Sequence, residues 1–171
     1  MQPGVNAGNV HVNATAPDAR LVLSEAELDA ALELFVLAEA SMAAVADAAL
    51  EVGEPRLGRS AWRTAFLLKR RPGLGVRELA ALTGLSKQGA SKALKELETA
   101  GLVEKALGED ERRKPATLTG AGRLWERGVG ERMRAALARA YRAGGLENAS
   151  GARRVWAALA GGRAAQRELG A

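Results

Sequence analysis

Residues 76–123 constrain the fold of this chain more tightly than any other segment. Apolar residues at helical spacing predict a short helix over Val76–Leu82, and Gly84 lies where a tight turn needs a positive φ. Ser86 is placed to cap a second helix that reaches about Thr99. A short helix, a glycine turn and a longer helix in this order predict a helix-turn-helix unit, whose second helix can enter a DNA groove.

Two short strands are predicted directly after this pair of helices. Gly101 fits the left-handed position that follows a helix end, and the strands are predicted over Leu102–Leu107 and Lys114–Leu118. Pro115 has no N–H to donate, so the second strand is predicted to lie at a sheet edge. With the charged loop between them, the two strands predict a β-wing.

The helix after Ser86 has two chemically different sides. Ala90, Leu94 and Leu97 recur at helical spacing and are predicted to face the core. The polar residues predicted to contact DNA are Ser86, Lys87, Gln88, Ser91, Lys92 and Lys95. Lysine can contact phosphate oxygens or guanine, glutamine can pair with adenine, and serine commonly binds phosphate. The alternative is an ordinary solvated helix surface, and we favour the DNA-binding interpretation.

The predicted wing tip, residues 108–114, carries three acidic and three basic side chains. An arginine on a wing lies beside the duplex and can enter the minor groove, whose negative potential attracts it when the groove is narrow. Arg112 and Arg113 are the candidates, and Asp110 is placed to hold the guanidinium of Arg112 in a fork-like pair. The alternative is a polar hairpin loop without a ligand.

Further helices are predicted on both sides of this unit. Ser24 and Glu27 fit a capping box, and the helix that they begin reaches about Val52. Three more helices are predicted over Gly58–Arg71, Gly120–Ala143 and Ala149–Leu169. Gly161–Gly162 is a point where the last of them can kink or split. The predicted fold class is therefore mainly α with a small β-wing.

The residue inventory argues against several classes of chemistry. Cysteine is absent, which excludes disulfides, thiol redox sensing and cysteine metal sites. The one histidine, His11, has no second histidine with which to hold a metal, and it gives acid–base catalysis little support. No glycine-rich phosphate loop precedes a helix, so we expect neither an enzyme nor a cofactor or metal. Without a long apolar run or a signal-peptide pattern, a cytoplasmic protein is expected.

Charge is unevenly distributed along the chain, whose net charge is +5. Residues 1–56 carry two basic and nine acidic side chains, whereas residues 57–171 carry 23 basic and 11 acidic ones. A basic body of this kind favours a polyanionic partner. The charge distribution alone fits two interpretations about equally well, a surface that binds a polyanion and a highly charged surface that only keeps the protein soluble.

Several motifs resemble those of the MarR family of transcription regulators. The wing signature of that family resembles a spaced pattern in this chain. The pattern is Asp110-x-Arg112, then five residues, Leu118-Thr119, two further residues and Gly122. The segment LTGLSKQGASKALKELETAGLVEK, residues 82–105, is similar to its recognition helix and first strand. Ser60-Ala61-Trp62-Arg63 resembles its second-helix pattern, which usually carries Gln-Trp. The resemblance covers about residues 24–165, with specific motifs only at residues 58–123.

The length predicts one domain, over residues 24–171, and the composition of the N-terminal segment, without sustained periodicity, predicts a mobile tail at residues 1–23. The resemblance implies a winged helix-turn-helix over about residues 58–119, flanked by dimerisation helices at about 24–52 and 120–169. The implied molecule is a homodimer that binds a short inverted repeat in double-stranded DNA, in most members as a repressor.

The resemblance also implies roles for single residues. Gln88, Gly89, Ser91 and Lys92 would face the major groove, and Arg112 would enter the minor groove. Gly89 stands where a larger, often hydroxylated residue is usual in the family. Lys92 stands where arginine is common, and lysine cannot replace arginine in a bidentate contact with a base. The base sequence that this chain prefers does not follow from the family.

Many family members release DNA on binding a small aromatic ligand, and four large apolar residues are candidates for the wall of such a pocket. They are Phe35, Met42, Trp62 and Phe66. The alternative, which the sequence favours, is that they are ordinary core. A DNA-binding regulator is the favoured function, and the alternative is a winged-helix module for protein–protein contact with only weak, non-specific DNA binding.

Overall fold

The structure is a computed structural model, and it describes residues 23–105 and 115–161. The elements in chain order are α1 (Glu25–Glu51), α2 (Arg59–Arg70), α3 (Val76–Thr83), α4 (Lys87–Thr99), β1 (Val103–Lys105), β2 (Ala116–Leu118), α5 (Gly120–Ala143), a 3-10 helix (Leu146–Asn148) and α6 (Ala149–Leu159). The protein is therefore mainly helical with one small sheet, as the sequence predicts.

The chain divides into two compact units, Met1–Glu39 and Ala40–Ala171. In the first, the described residues form the N-terminal part of α1, which begins with the predicted capping box. The N–H of Ser24 donates to Glu27 Oε2 at 2.7 Å, and the N–H of Glu27 donates to Ser24 Oγ at 3.3 Å. Hydrogen bonds from the hydroxyl and then the backbone of Ser24 lower the pKa of Glu27. The large apolar side chains exposed in this part of α1 are Leu32, Leu34, Phe35, Val36 and Leu37.

The core of the second unit is built mostly from alanine and leucine. Ala61 and Ala65 of α2 and Ala90 of α4 are fully buried, so α2 and α4 can pack closely. Leu79 of α3 and Leu97 of α4 are also fully buried in the same cluster. This packing fixes α4 by its apolar side and leaves its other side to solvent.

Local sequence signals set the ends of the helices around the turn. Gly84 has a φ of +71°, which confirms the predicted left-handed turn between α3 and α4. Ser86 caps α4 as predicted, and Gly101 follows its end with a φ of +69°. The N–H of Leu102 donates to the carbonyl of Leu97 at 2.9 Å, which satisfies a carbonyl at the helix end.

β1 and β2 pair antiparallel. The facing residues are Val103 with Leu118, Glu104 with Thr117 and Lys105 with Ala116. Both strands are shorter than predicted, and Pro115 precedes β2 instead of lying within it. The N–H of Gly73, in the loop after α2, donates to the carbonyl of Ala116 at 3.0 Å. The sheet is thus attached to the helical core, and the segment that joins the strands is outside the described residues.

The C-terminal elements differ from the prediction in two places. The 3-10 helix at Leu146–Asn148 was not expected from the sequence. α6 ends at Leu159 and does not continue to Leu169, because Gly161 takes a φ of +59° that a helix cannot continue through. This end agrees with the break predicted at Gly161–Gly162, and residues 162–171 lie outside the described part.

Candidate nucleic-acid interface

The exposed side of α4 carries the polar residues that the sequence predicts to contact DNA. The exposed ones are Ser86, Lys87, Gln88, Ser91, Lys92 and Lys95. The buried side of the same helix consists of Ala90, Ala93, Leu94 and Leu97. The helix therefore offers a continuous polar surface, because its apolar residues are all used in the core.

Gly89 lies in the first turn of α4 and donates to the residue that caps the helix. The Oγ of Ser86 accepts a hydrogen bond from the N–H of Gly89 at 3.0 Å. A Cβ on Gly89 would lie 3.3 Å from this Oγ, a tight contact that a small shift of the serine side chain would relieve. Gly89 adds no side-chain contact of its own to the exposed side of α4. The hydroxyl proton of Ser86 remains free to donate to a phosphate.

The lysines of α4 are little engaged by acidic residues. Lys92 Nζ lies 3.9 Å from Glu96 Oε1, and both side chains are exposed, so this ion pair is weak. Within residues 23–105 and 115–161, Lys87 and Lys95 form no ion pair. On the other flank of the helix, Lys105 Nζ of β1 lies 2.7 Å from Glu98 Oε2. The positive charge of α4 is thus available to a polyanion.

A shallow groove that is open to solvent runs along the C-terminal half of α4, with a volume of about 430 Å³. It is lined by Leu57, Lys92, Lys95, Glu96, Thr99 and Ala100. The sequence did not predict it, because Leu57 lies in the loop between α1 and α2, far from α4 along the chain. A lone apolar residue in a loop before a helix was the available signal, and it does not specify which element it meets.

The wing residues predicted to approach the minor groove lie outside the described residues. They are Asp110, Arg112 and Arg113. The segment that contains them connects Lys105 and Ala116, which face each other across the antiparallel pair. The described strands therefore have the connectivity of a wing.

A buried ion pair joins α2 to α5. Glu126 is 0% exposed, and its Oε2 accepts a hydrogen bond from Lys69 Nζ, while its Oε1 has no hydrogen-bond partner among the described residues. Glu126 lies on the apolar side of α5 together with Trp125 and Val129. An acidic residue within an apolar stripe was the sequence signal for this pair, and our sequence analysis missed it.

Of the four candidate ligand residues, the structure brings Trp62 and Phe66 together on α2. Their ring centroids lie 5.7 Å apart at an interplanar angle of 35°. Trp62 packs against the core cluster, and its Nε1 is buried with no hydrogen-bond partner among the described residues. Met42 is half-buried, and Phe35 lies in the other unit with its side chain partly exposed. The core interpretation fits Trp62 best, and Phe66 keeps an exposed face.

The described ranges contain neither a metal site nor a membrane-spanning helix. Residues 23–105 and 115–161 contain no cluster of acidic residues or histidines able to hold a metal ion. They also contain no helix that is long and apolar enough to cross a membrane.

Known proteins share both the sequence and the architecture of this chain. The MarR family model matches residues 57–114, from the loop before α2 to the wing. The HTH-type transcriptional regulator PetP of Rhodobacter capsulatus is 32% identical over 140 residues, which cover 81% of this chain and 83% of that protein. This chain belongs to the MarR family of transcription regulators. In MarR-family terms, α3 and α4 form the helix-turn-helix, α4 is the recognition helix, and β1 and β2 are the strands of the wing.

Solved MarR-family structures have the same fold. A regulator from Rhodococcus sp. RHA1 superposes with a TM-score of 0.67 at 22% identity, covering 80% of this chain and 98% of that one. The family protein Rv2887 from Mycobacterium tuberculosis, crystallised with salicylic acid, gives a TM-score of 0.58 at 28% identity, covering 74% of this chain and 93% of that one. The mainly helical winged helix-turn-helix predicted from the sequence is thereby confirmed.

Proposed function

We propose that this MarR-family protein is a sequence-specific regulator that binds double-stranded DNA as a homodimer and acts as a repressor at a pseudo-palindromic operator. The observation that carries the proposal is the division of α4 into a buried apolar side and an exposed side with three lysines. A solvated helix has no need for an uncompensated cationic surface, whereas a helix in a DNA groove requires one.

The residues of α4 divide into two roles in this proposal. Gln88 and Lys92 read base edges in the major groove, where an amide can pair with adenine and an ammonium with guanine. Lys87, Lys95 and the hydroxyls of Ser86 and Ser91 contact phosphates, as polar groups at a helix N-terminus commonly do. Arg112, held by Asp110 and next to Arg113, enters the minor groove beside the recognition helix.

Exposed apolar side chains favour the homodimer. In α6 these are Val155, Trp156 and Leu159, and the N-terminal part of α1 has its own set. Contiguous exposed apolar surface is unusual in a soluble monomer and marks a protein interface. A second copy of the chain is the partner that also matches an operator built from two inverted half-sites.

A small aromatic ligand that releases the DNA is part of the proposal. The support is the relative Rv2887, which was crystallised with salicylic acid. Trp62 and Phe66 form the aromatic wall available on α2, and the exposed face of Phe66 gives a ligand a surface to stack on. The same residues serve as plain core if no ligand binds there.

The experiment that tests DNA reading compares Lys92→Ala with the wild type. A preferred site is first selected from random duplexes, and affinities for this site and for random DNA are then measured over a salt series. Lys92→Ala should weaken the preferred site by about 1–3 kcal/mol and random DNA much less, because it removes a base contact. Arg132→Ala, an exposed cation on α5, is the control for a change in net charge.

Two outcomes would contradict this assignment. Equal weakening of both DNAs by Lys92→Ala would show that Lys92 touches only phosphate. If selection enriches no site and all binding vanishes as salt is raised, the protein is the alternative, a winged-helix module for protein–protein contact with weak, non-specific DNA binding.

A further inference from the structure

The contact between α2 and α5 contains a buried ion pair that stability alone does not explain. Glu126 is 0% exposed and lies with Trp125 and Val129 on the apolar side of α5. Its Oε2 accepts a hydrogen bond from Lys69 Nζ, whereas its Oε1 has no hydrogen-bond partner among the described residues. Replacing such a pair by apolar side chains of similar volume is often neutral or stabilising. The pair therefore calls for a role other than holding the fold together.

The carboxylate of Glu126 has a restricted place on α5. A Cβ at Gly130 would lie 2.7 Å from Glu126 Oε1 and 2.8 Å from Arg134 Nη1, so the carboxylate and the guanidinium both use the space that a side chain at 130 would need. One carboxylate oxygen thus binds Lys69, and the other lies on the side of a second cation. A hydrogen-bonded ion pair is directional, whereas apolar packing is not. The pair therefore specifies one position of α2 on α5 more strictly than apolar side chains would.

The pair lies where α5 leaves the core. The buried residues of α5 all belong to its first half, at Gly122, Trp125, Glu126, Val129 and Gly130. No residue from 131 to 143 is buried, and α6, with its exposed apolar side chains, follows this second half of α5. On the other side of the pair, α2 packs against α4 through buried alanines. The pair therefore connects the recognition helix, through α2, to the helix that leads to the proposed dimer contact.

We propose that Lys69 and Glu126 are positioning residues that set which spacing between two DNA half-sites the protein accepts. The pair holds α2, and with it α4, in one orientation on α5. In a two-fold dimer a change of that orientation moves both recognition helices, so the distance between them changes. This role rests on the proposed function, in which α4 reads DNA in a homodimer. Neither residue contacts DNA, and both act through the placement of α4.

The DNA test uses the selected site with its half-sites moved closer together or further apart by one base pair. Each base pair moves a half-site by about 3.4 Å along the duplex and rotates it by about 35°. The wild type should bind both altered sites about tenfold more weakly than the selected site, because the DNA must deform to restore the contacts. The double variant Lys69→Met with Glu126→Met should bind all three sites within about threefold, because a less constrained α4 adapts to each spacing.

Controls separate positioning from a loss of fold. Affinity for a duplex with a single half-site does not depend on spacing, and the double variant should keep it within about threefold. Lys105→Met with Glu98→Met removes another ion pair, of 2.7 Å, between α4 and β1, and should keep the wild-type preference for one spacing. Lys69→Arg, which retains the cation, should keep it as well. A double variant that prefers the selected spacing as strongly as the wild type, or that loses affinity equally for every site, would overturn the proposal.

The placement of α4 is also measured without DNA. The chain has no cysteine, so Ser91→Cys on α4 and Arg139→Cys on α5, both at exposed positions, introduce two specific sites for nitroxide labels. Double electron–electron resonance on labelled chain diluted with unlabelled chain should give a narrow distance distribution, and adding Lys69→Met with Glu126→Met should broaden it. Equal distributions would overturn the positioning role. If the wild type selects no paired site, the proposed function fails, and the label distances still decide whether the pair holds α4 on α5.

Discussion

Gly122 shows how one residue fixes the position of a helix. A Cβ at this position would lie 2.0 Å from the backbone carbonyl oxygen of Leu102, a distance much shorter than a van der Waals contact. The same carbonyl accepts the N–H of Thr119 at 3.1 Å, and the Thr119 hydroxyl donates to the carbonyl of Gly101 at 2.8 Å. The start of α5 therefore lies directly on the turn that ends α4.

Gly122→Ala should destabilise the protein, and Gly128→Ala should stabilise it. The added methyl group at 122 forces the backbone of α5 away from Leu102, at a cost of about 1–3 kcal/mol or more in the free energy of unfolding. Gly128 is exposed in the same helix with open space around it, so alanine should add about 0.5–1 kcal/mol. Urea denaturation followed by circular dichroism measures both, and a stabilising effect of both variants would show that α5 shifts freely.

At the scale of elements, the buried ion pair decides how α2 is held against α5. Glu126 is fully buried, while the side chain of Lys69 is 35% exposed, so the carboxylate carries most of the desolvation cost. Removing only the lysine leaves a buried charge without its partner. Removing both charges leaves an apolar contact of similar volume.

Lys69→Met should lower the free energy of unfolding, by an amount near the lower end of about 3–5 kcal/mol because Lys69 is partly in solvent. The double variant Lys69→Met with Glu126→Met should recover most of that loss, since it removes the unpaired carboxylate. The measurement is a double-mutant cycle by urea denaturation. Losses that simply add would show that the two side chains do not interact.

Elements set by local signals were predictable, and contacts between distant segments were not. Ser24, Ser86 and Thr119 begin helices because their side chains bind N–H groups within three residues along the chain. The lysine side of α4 was also predictable, because helical spacing alone separates it from the buried residues. These are the parts of the fold and of the site that follow from the sequence.

Leu57 and Glu126 mark the limit of that reasoning. Leu57 lines the groove in the α1–α2 loop, between Pro55, whose carbonyl accepts the indole N–H of Trp125 at 3.0 Å, and Arg59, whose Nε lies 3.0 Å from Asp47 Oδ1. The apolar stripe of α5 indicates that Glu126 is unusual, but it does not indicate that its partner is Lys69, which α2 brings to it. The predicted strands were too long for a related reason. The length over which two strands pair depends on the partner strand and on neighbouring segments, such as the loop after α2, where Gly73 bonds to Ala116.

At the scale of the whole molecule, the exposed apolar residues at the C-terminal end of the described chain favour the proposed homodimer. Val155 is 57% and Leu159 is 66% exposed in α6, one helical turn apart. Arg154 lies on another side of the same helix and is exposed as well. A homodimer that covers the apolar side predicts that a charge there is costly and that a charge change at Arg154 is not.

Val155→Glu should convert the dimer to a monomer, whereas Arg154→Glu, which changes the net charge by more, should remain dimeric. Light scattering should give about twice the chain mass of 17.9 kDa for the wild type and for Arg154→Glu, and the chain mass for Val155→Glu. Circular dichroism and a thermal melt check that the variant keeps its helices. A folded Val155→Glu that remains dimeric would place the interface elsewhere.

The proposed homodimer also predicts the geometry of the operator. Two recognition helices related by a two-fold axis would contact half-sites about one helical turn, or about 10 base pairs, apart. Inserting about five base pairs between the half-sites turns them to opposite faces of the duplex. The affinity of the wild type should then fall nearly to its affinity for DNA with a single half-site. Monomeric Val155→Glu binds one half-site at a time, so the insertion should not change its affinity. Wild-type binding that ignores the insertion would show that the protein reads one half-site alone, even if it is dimeric in solution.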